Sequence, residues 1–183
     1  MGTTHNHDNP AASTLAETDQ YAQINGTTSR GAYATGAQMR EFASSGLVNA
    51  AAATLTVTSA THAGRVVTLN RAAGIATTLP AATGSGGQYR FIIGTTFTSS
   101  ATIKVVGNDI MVGTAWIAQD AADTVVAWET AADSDTITFD GTTTGGYVGT
   151  IIELIDIAAD TWFVNVRGKA TGTEATPFSA TVS

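Results

Sequence analysis

From Thr54 onward, short runs rich in β-branched and aromatic residues alternate with Gly, Ser, Asn or Asp, as in TLTVT, QYRFIIG and DTWFVNVRG. The runs follow one another at roughly 8–12-residue spacing, and no segment sustains the 3.6-residue period of a helix. Strands at this spacing without intervening helices predict an all-β domain, an antiparallel β-sandwich or a jelly-roll-like barrel.

Alternation within the runs predicts which side chains form the core. In DTITFD, Ile137 and Phe139 share one face of a strand, and in DTWFVNVRG, Phe163 lies opposite the face that holds Trp162. The other two tryptophans, Trp116 and Trp128, also lie in alternating runs. We expect all three tryptophans to belong to the core rather than to a carbohydrate platform.

The charge of the chain argues against two classes of partner. Only 13% of residues are charged, against about 25% in an ordinary globular chain, and the net charge is −7. Eight basic residues are scattered along the chain, with none between Lys104 and Arg167. Binding to phosphate groups needs clustered Lys and Arg, so we expect neither a nucleic-acid nor a membrane partner. We also expect part of the fold to be strongly acidic.

The chain has no cysteine, which removes disulfides, thiolate zinc sites and cysteine catalysis. No apolar run approaches the roughly 18 residues of a membrane span. The first ten residues, MGTTHNHDNP, have neither the basic nor the apolar region of a signal peptide. We therefore expect a soluble protein made in the cytoplasm.

Residues 1–46 form a separate, aliphatic-poor arm, and residues 47–183 form the β-rich domain. Capping boxes at Thr14 with Glu17 and at Thr35 with Gln38 predict two short helices, LAETDQYAQI and AQMREFASS.

Four large side chains of the arm, Tyr21, Tyr33, Met39 and Phe42, have no local core to enter. They predict an arm that docks on a neighbouring subunit or on another protein. The alternative is a disordered tail.

The stretch DSDTITFDGTTTGG has three aspartates and suggests a calcium loop. An EF-hand loop needs a ligand at its fifth position and Gly at its sixth, where this chain has Ile137 and Thr138. The stretch is better explained as a strand bracketed by aspartates and followed by an Asp-Gly turn. A looser site formed by Asp133, Asp135 and Asp140 stays open, and no metal or other cofactor is predicted.

Motifs of catalysis are missing from the sequence. There is no G-x-S-x-G elbow, and the GSGG run lacks the Lys and the following helix of a phosphate loop. His62 is expected to be a lone histidine in a loop or at a strand edge. We predict that the protein is not an enzyme. A pair of carboxylates of the glycosidase type and a calcium-dependent hydrolase using Asp135 remain as alternatives.

Three segments carry a resemblance to a known family: TVTSATHAGRVVTLNRAAGIATTLPAATGSGGQYRFIIGT, ETAADSDTITFDGTTTGG and the ending ATGTEATPFSATVS. Over about residues 47–183 they resemble capsid decoration (head cement) and related structural proteins of tailed double-stranded DNA bacteriophages. The resemblance implies a β-rich, often trimeric module that contacts the major capsid protein on the outer surface of the virion. It carries over no catalytic residue.

We therefore expect a homotrimeric capsid decoration protein on the outer capsid surface, with the arm acting as a strap. Attachment through several copies would turn weak single contacts into strong binding. The alternative is a head- or tail-fibre module that recognises host-surface glycans through Trp116 or Trp128.

Overall fold

The computed structural model describes residues 20–23, 32–35, 46–121 and 123–181. The chain divides into two compact units, Met1–Ser45 and Gly46–Ser183. A single helical turn, α1, covers Ser59–His62. The strands in chain order are β1 (Gln20–Gln23), β2 (Ala32–Thr35), β3 (Val48–Ala50), β4 (Thr54–Thr56), β5 (Val66–Leu69), β6 (Ala76–Thr78), β7 (Gln88–Ile93), β8 (Ala101–Lys104), β9 (Ile110–Ala118), β10 (Val125–Glu129), β11 (Thr136–Phe139), β12 (Ile151–Ala158), β13 (Thr161–Lys169) and β14 (Phe178–Ser179).

In the first unit, β1 and β2 form an antiparallel pair in which Tyr21 lies opposite Ala34 and Tyr33 opposite Ala22. The helix expected over LAETDQYAQI is therefore wrong for residues 20–23. A capping box is a local signal worth about 1 kcal/mol, and pairing with a second strand overrides it. The rest of that helix and the whole of the second one lie outside the described residues.

The second unit is a β-sandwich. Its larger sheet has seven strands in the order β10-β9-β13-β12-β7-β5-β3, and its smaller sheet has five in the order β14-β11-β8-β6-β4. One hydrophobic core draws side chains from both sheets. The largest fully buried side chains are Trp162, Phe91, Phe97, Phe139, Leu69, Ile75, Leu79, Ile93, Ile103, Met111, Ile117 and Ile137. The expected all-β sandwich class is confirmed.

Both sheets are mixed, in contrast to the antiparallel pairing expected from the sequence. From β3 to β8 the chain alternates between the two sheets, so that β3, β5 and β7 are parallel neighbours in one sheet. In the other sheet β4, β6 and β8 are likewise parallel. Parallel strands usually need a crossover helix. Here the chain passes from one parallel strand to the next through a strand of the opposite sheet. The sequence indicated that helices are missing, but it did not indicate this kind of crossover.

From β9 onward the chain is mostly antiparallel and supplies the longest strands. The pairs β9–β10, β12–β13 and β7–β12 are antiparallel, and only β9–β13 is parallel in this half of the large sheet. These strands form a broad surface on the side of the sheet that faces away from the core.

The bracketed strand predicted from the sequence is confirmed as β11. Ile137 and Phe139 are both buried in the core. The turn after the strand requires glycine, because Gly141 has a φ of 80° and a Cβ there would stand 2.0 Å from the carbonyl oxygen of Phe97. The aspartates thus lie at the ends of a core strand.

Candidate functional site

The outer face of the seven-stranded sheet, meaning the side turned away from the five-stranded sheet, carries a group of exposed apolar side chains. Trp116 is 50% exposed and Phe163 38% exposed, although their chain neighbours are buried. Five of the seven large apolar residues recorded as exposed in the described part of the chain belong to this face: Val112, Trp116, Val125, Ile157 and Phe163. Contiguous exposed apolar surface on a soluble protein commonly marks a site of interaction.

Strand register arranges this face in rows. Trp116 lies beside Ala127 of β10 and beside Arg167 of β13. Phe163 lies between Val112 of β9 and Ile155 of β12. The row that contains Trp116 and the row that contains Phe163 are separated by a polar row that runs across the sheet.

The polar row is centred on Glu153. Its carboxylate accepts hydrogen bonds from Arg90 at 2.7 Å and from Arg167 at 3.1 Å, and a further one from Asn165 at 3.3 Å. The hydrogen bond from Arg90, together with the positive charges of both arginines, lowers the pKa of Glu153 in spite of its partial burial. The central carboxylate is therefore ionised and held in place at neutral pH.

Positive charge is concentrated on this face. Residues 46–181 contain six basic residues. Three of them, Arg90, Arg167 and Lys169, are exposed on its outward positions, and Arg65 lines a cleft at its edge. Most acidic residues of this unit lie elsewhere, and whether they form the acidic region expected from the sequence stays a prediction. The outer face thus carries three exposed cations against two outward carboxylates, Glu129 and Glu153, in a protein whose net charge is negative.

The cleft has a volume of about 310 Å³ and is lined by Arg65, Gln88, Arg90, Ile155 and Phe163, among others. Its size is at the lower end of the range of small-molecule sites. It is continuous with the apolar face, because Phe163 and Ile155 belong to both.

The buried carboxylate of Asp156 holds the loop between β6 and β7. It accepts hydrogen bonds from the backbone amides of Thr83, Gly84 and Ser85 at 2.6–3.1 Å, and from the hydroxyls of Thr83 and Ser85. Burial alone would raise the pKa of Asp156, but these hydrogen bonds outweigh it and hold the pKa well below the usual range. The carboxylate is fully occupied by its own chain, which indicates a structural role.

The carboxylate of Asp140 also accepts several hydrogen bonds, but from residues that follow it directly in the chain. Its carboxylate accepts hydrogen bonds from the amides of Thr142 and Thr144 and from the hydroxyl of Thr143. These bonds lower its pKa against the opposing effect of burial. Asp140 therefore stabilises the turn that the Asp-Gly pair predicted.

Asp135 accepts hydrogen bonds from the hydroxyl of Thr136 and from the amide of Thr181, both at 2.7 Å. Within the described ranges, no group of three or more His, Asp or Glu side chains is placed to hold a metal ion. The arrangement thus gives no support to the looser calcium site of Asp133, Asp135 and Asp140.

The three tryptophans have different environments. Trp162 is fully buried and packs edge-on against Tyr89, with ring centroids 5.4 Å apart, and Trp128 is half-buried against the core. These two placements agree with the expected core role. The expectation is wrong for Trp116. Alternation places neighbouring residues on opposite faces of a strand, but it does not show which of the two faces is covered by the second sheet.

His62 lies buried in α1, where its Nδ1 accepts a hydrogen bond from the amide of Thr58 at 3.0 Å. It stabilises the turn between β4 and β5. Of the predicted docking residues, Tyr21 and Tyr33 lie on the paired strands β1 and β2, whereas Met39 and Phe42 lie outside the described residues. Their docking role stays a prediction.

No family model matches the chain, and no curated protein or solved structure is significantly similar to it. In the described part of the chain, no helix is long and apolar enough to cross a membrane.

Proposed function

We propose that the protein is a structural virion protein that binds the outer surface of a tailed-phage capsid as a decoration protein. The observation that carries the proposal is the outer face of the seven-stranded sheet, where exposed apolar side chains surround an ordered Arg90–Glu153–Arg167 network. Aromatic and Arg enrichment with few Lys and Glu residues is the composition of a protein–protein interface.

The partner proposed for this face is the major capsid protein, with the arm of residues 1–46 as a second point of attachment. Two attachments on one chain, repeated over several chains, raise the apparent affinity without any new contact. The positive charge of the face would steer it toward an acidic patch on the capsid.

The proposal is tested on virions of the phage that encodes this chain. Quantitative gel analysis of purified virions should find a copy number comparable to that of the major capsid protein. A handful of copies per particle, or none, would contradict decoration.

The role of the arm is tested separately. A chain lacking residues 1–46 should remain folded by circular dichroism and should bind stripped capsids at least tenfold more weakly than the full chain. Undiminished capsid binding by the truncated chain would contradict the arm's docking role while leaving decoration intact.

A fibre module that recognises host glycans is a second candidate, favoured by the exposed ring of Trp116. A glycan array should then show binding that is lost in Trp116→Ala. Trp128 packs against the core, so Trp128→Ala is expected to lower stability first and is a poor probe of a binding platform. Absence of any bound glycan, together with capsid binding, would exclude this second candidate.

A further inference from the structure

The strand β10 is the longest of the four edge strands in the described sandwich. It ends the seven-stranded sheet, pairs only with β9, and none of its five residues is buried. Four of the five residues, Val125, Val126, Ala127 and Trp128, are apolar, and the strand contains neither Lys nor Pro. Natural edge strands usually carry a Lys, a Pro or a β-bulge, because an unprotected apolar edge tends to pair with another strand.

The hydrogen bonds around β10 show which backbone groups face this free edge. The amide of Gln119 bonds to the carbonyl of Thr124, and the amide of Thr130 bonds to the carbonyl of Gly113. Hydrogen-bonded pairs alternate along an antiparallel ladder. The groups of Val126 and Trp128 therefore turn toward β9, and those of Val125, Ala127 and Glu129 turn outward. Among the described residues, no hydrogen bond to these outward groups is recorded.

We propose that β10 pairs antiparallel with β10 of a second copy of this chain, with Ala127 opposite the partner's Ala127 at a two-fold axis. Each of the three outward residues would then donate its N–H and offer its C=O across the junction. The two seven-stranded sheets would form one continuous sheet. This inference is independent of the proposed function and gives a dimer, unlike the homotrimer expected from the resemblance.

Side-chain complementarity favours a second copy over an unrelated strand. In this register Val126 lies opposite the partner's Trp128, an aromatic–β-branched pair that covers the half-buried indole. Thr124 lies opposite the partner's Thr130, a second favourable cross-strand pair. Glu129 lies opposite the partner's Val125, so that no two carboxylates face each other. A parallel pairing in register would instead place the two glutamates side by side.

The outer face supports the same register. Ala127 is the small residue beside Trp116, so the junction would be made of two alanines flanked by two exposed tryptophans. A small residue at the axis leaves room for the approach of the two strands. The row that holds Trp116 would continue through the two alanines to the partner's Trp116.

The test uses the full chain, which has no native cysteine. Light scattering during size-exclusion chromatography should give twice the 18.6 kDa mass of the chain. A hydrogen-bonded antiparallel pair sets Cα atoms about 5.5 Å apart, which suits a disulfide. Mild oxidation of Ala127→Cys should therefore cross-link most of the protein.

Val125→Cys is the matched control, on the same edge and equally accessible. In the proposed register the two copies of residue 125 are offset by four residues, about 14 Å along the strand, so this variant should stay uncross-linked. Ala127→Pro removes the outward N–H without touching the ladder to β9 and should shift the protein to the monomer mass. A monomeric wild-type chain would overturn the proposal. So would a trimer, or a dimer that cross-links at residue 125 and not at residue 127.

Discussion

The two faces of the seven-stranded sheet are built by the same strands and have opposite environments. On β13, Trp162 is fully buried, whereas its neighbour Phe163 is 38% exposed. On β9, Ala115 and Ile117 are buried on either side of the exposed Trp116. The inner face has a partner in the five-stranded sheet, and the outer face has none within the described part of the second unit. The comparison teaches that apolar character alone does not identify the core of this protein.

The largest effect is expected from Trp162→Ala on the inner face. Loss of a fully buried indole should lower the free energy of unfolding by about 3–5 kcal/mol. The matched outer-face variant, Phe163→Ala, should cost about 1 kcal/mol or less. Urea unfolding followed by circular dichroism measures both, and equal losses would abolish the distinction between the two faces.

Asp156→Asn should have the next largest effect, because it leaves several N–H and O–H donors of the loop 83–85 without their buried, charged acceptor. We expect a loss of about 2–4 kcal/mol at pH 7. Asp160→Asn is the control, since Asp160 is exposed and Asn tolerates its positive φ of 58°.

The same carboxylate predicts a pH dependence. The pKa of Asp156 is lower in the folded chain than in the unfolded one, so its contribution is complete above the unfolded pKa of about 3.9. The contribution is lost as the pH falls below that value. The unfolding free energies of the wild-type and Asp156→Asn proteins, plotted between pH 6 and pH 2, should therefore draw closer as the pH falls below about 4, without meeting. Curves that stay parallel down to pH 2 would contradict the assignment.

A smaller effect is expected from the polar row of the outer face. Glu153→Gln removes the ion pairs to two half-exposed arginines, and exposed pairs contribute about 0–1 kcal/mol. The difference from wild type should shrink in 1 M salt, where the Debye length is about 3 Å. A loss above about 2 kcal/mol that persists in high salt would show that the row is part of the core rather than of a surface.

The smallest effect on stability is expected from Trp116→Ala. The ring is half exposed and its indole N–H donates to the neighbouring Thr114 hydroxyl at 3.0 Å, so the free energy of unfolding should change by about 0.5 kcal/mol or less. Thermal unfolding measures the change. A large drop in melting temperature would mean that the outer face is packed against another part of the protein.

The sequence predicted the strand content, the all-β class and the core positions Ile137, Phe139 and Trp162, because a two-residue period is a local property of the chain. It did not predict that β3–β8 alternate between the two sheets as parallel strands, since pairing between strands depends on contacts across the sandwich. It placed Trp116 in the core for a related reason. Alternation separates Trp116 from Ile117, and only the second sheet decides which of them is covered.

The carboxylate of Asp156 was also missed. Its partners lie more than 70 residues earlier in the chain, in the run ATGSGG, of which the sequence showed only that it is not a phosphate loop. Asp140, in contrast, binds its own turn and was predicted from the Asp-Gly pair. Local hydrogen bonds leave a signal in the sequence, and distant ones do not.

Capsid binding by Trp116→Glu tests the central claim, that the outer face is the binding surface, most directly. A charge at the centre of the apolar rows should weaken co-sedimentation with stripped capsids at least tenfold while the melting temperature stays within a few degrees of wild type. Lys104→Glu, an exposed change on the five-stranded sheet, is the control and should bind normally. Normal capsid binding by a folded Trp116→Glu protein would contradict the claim.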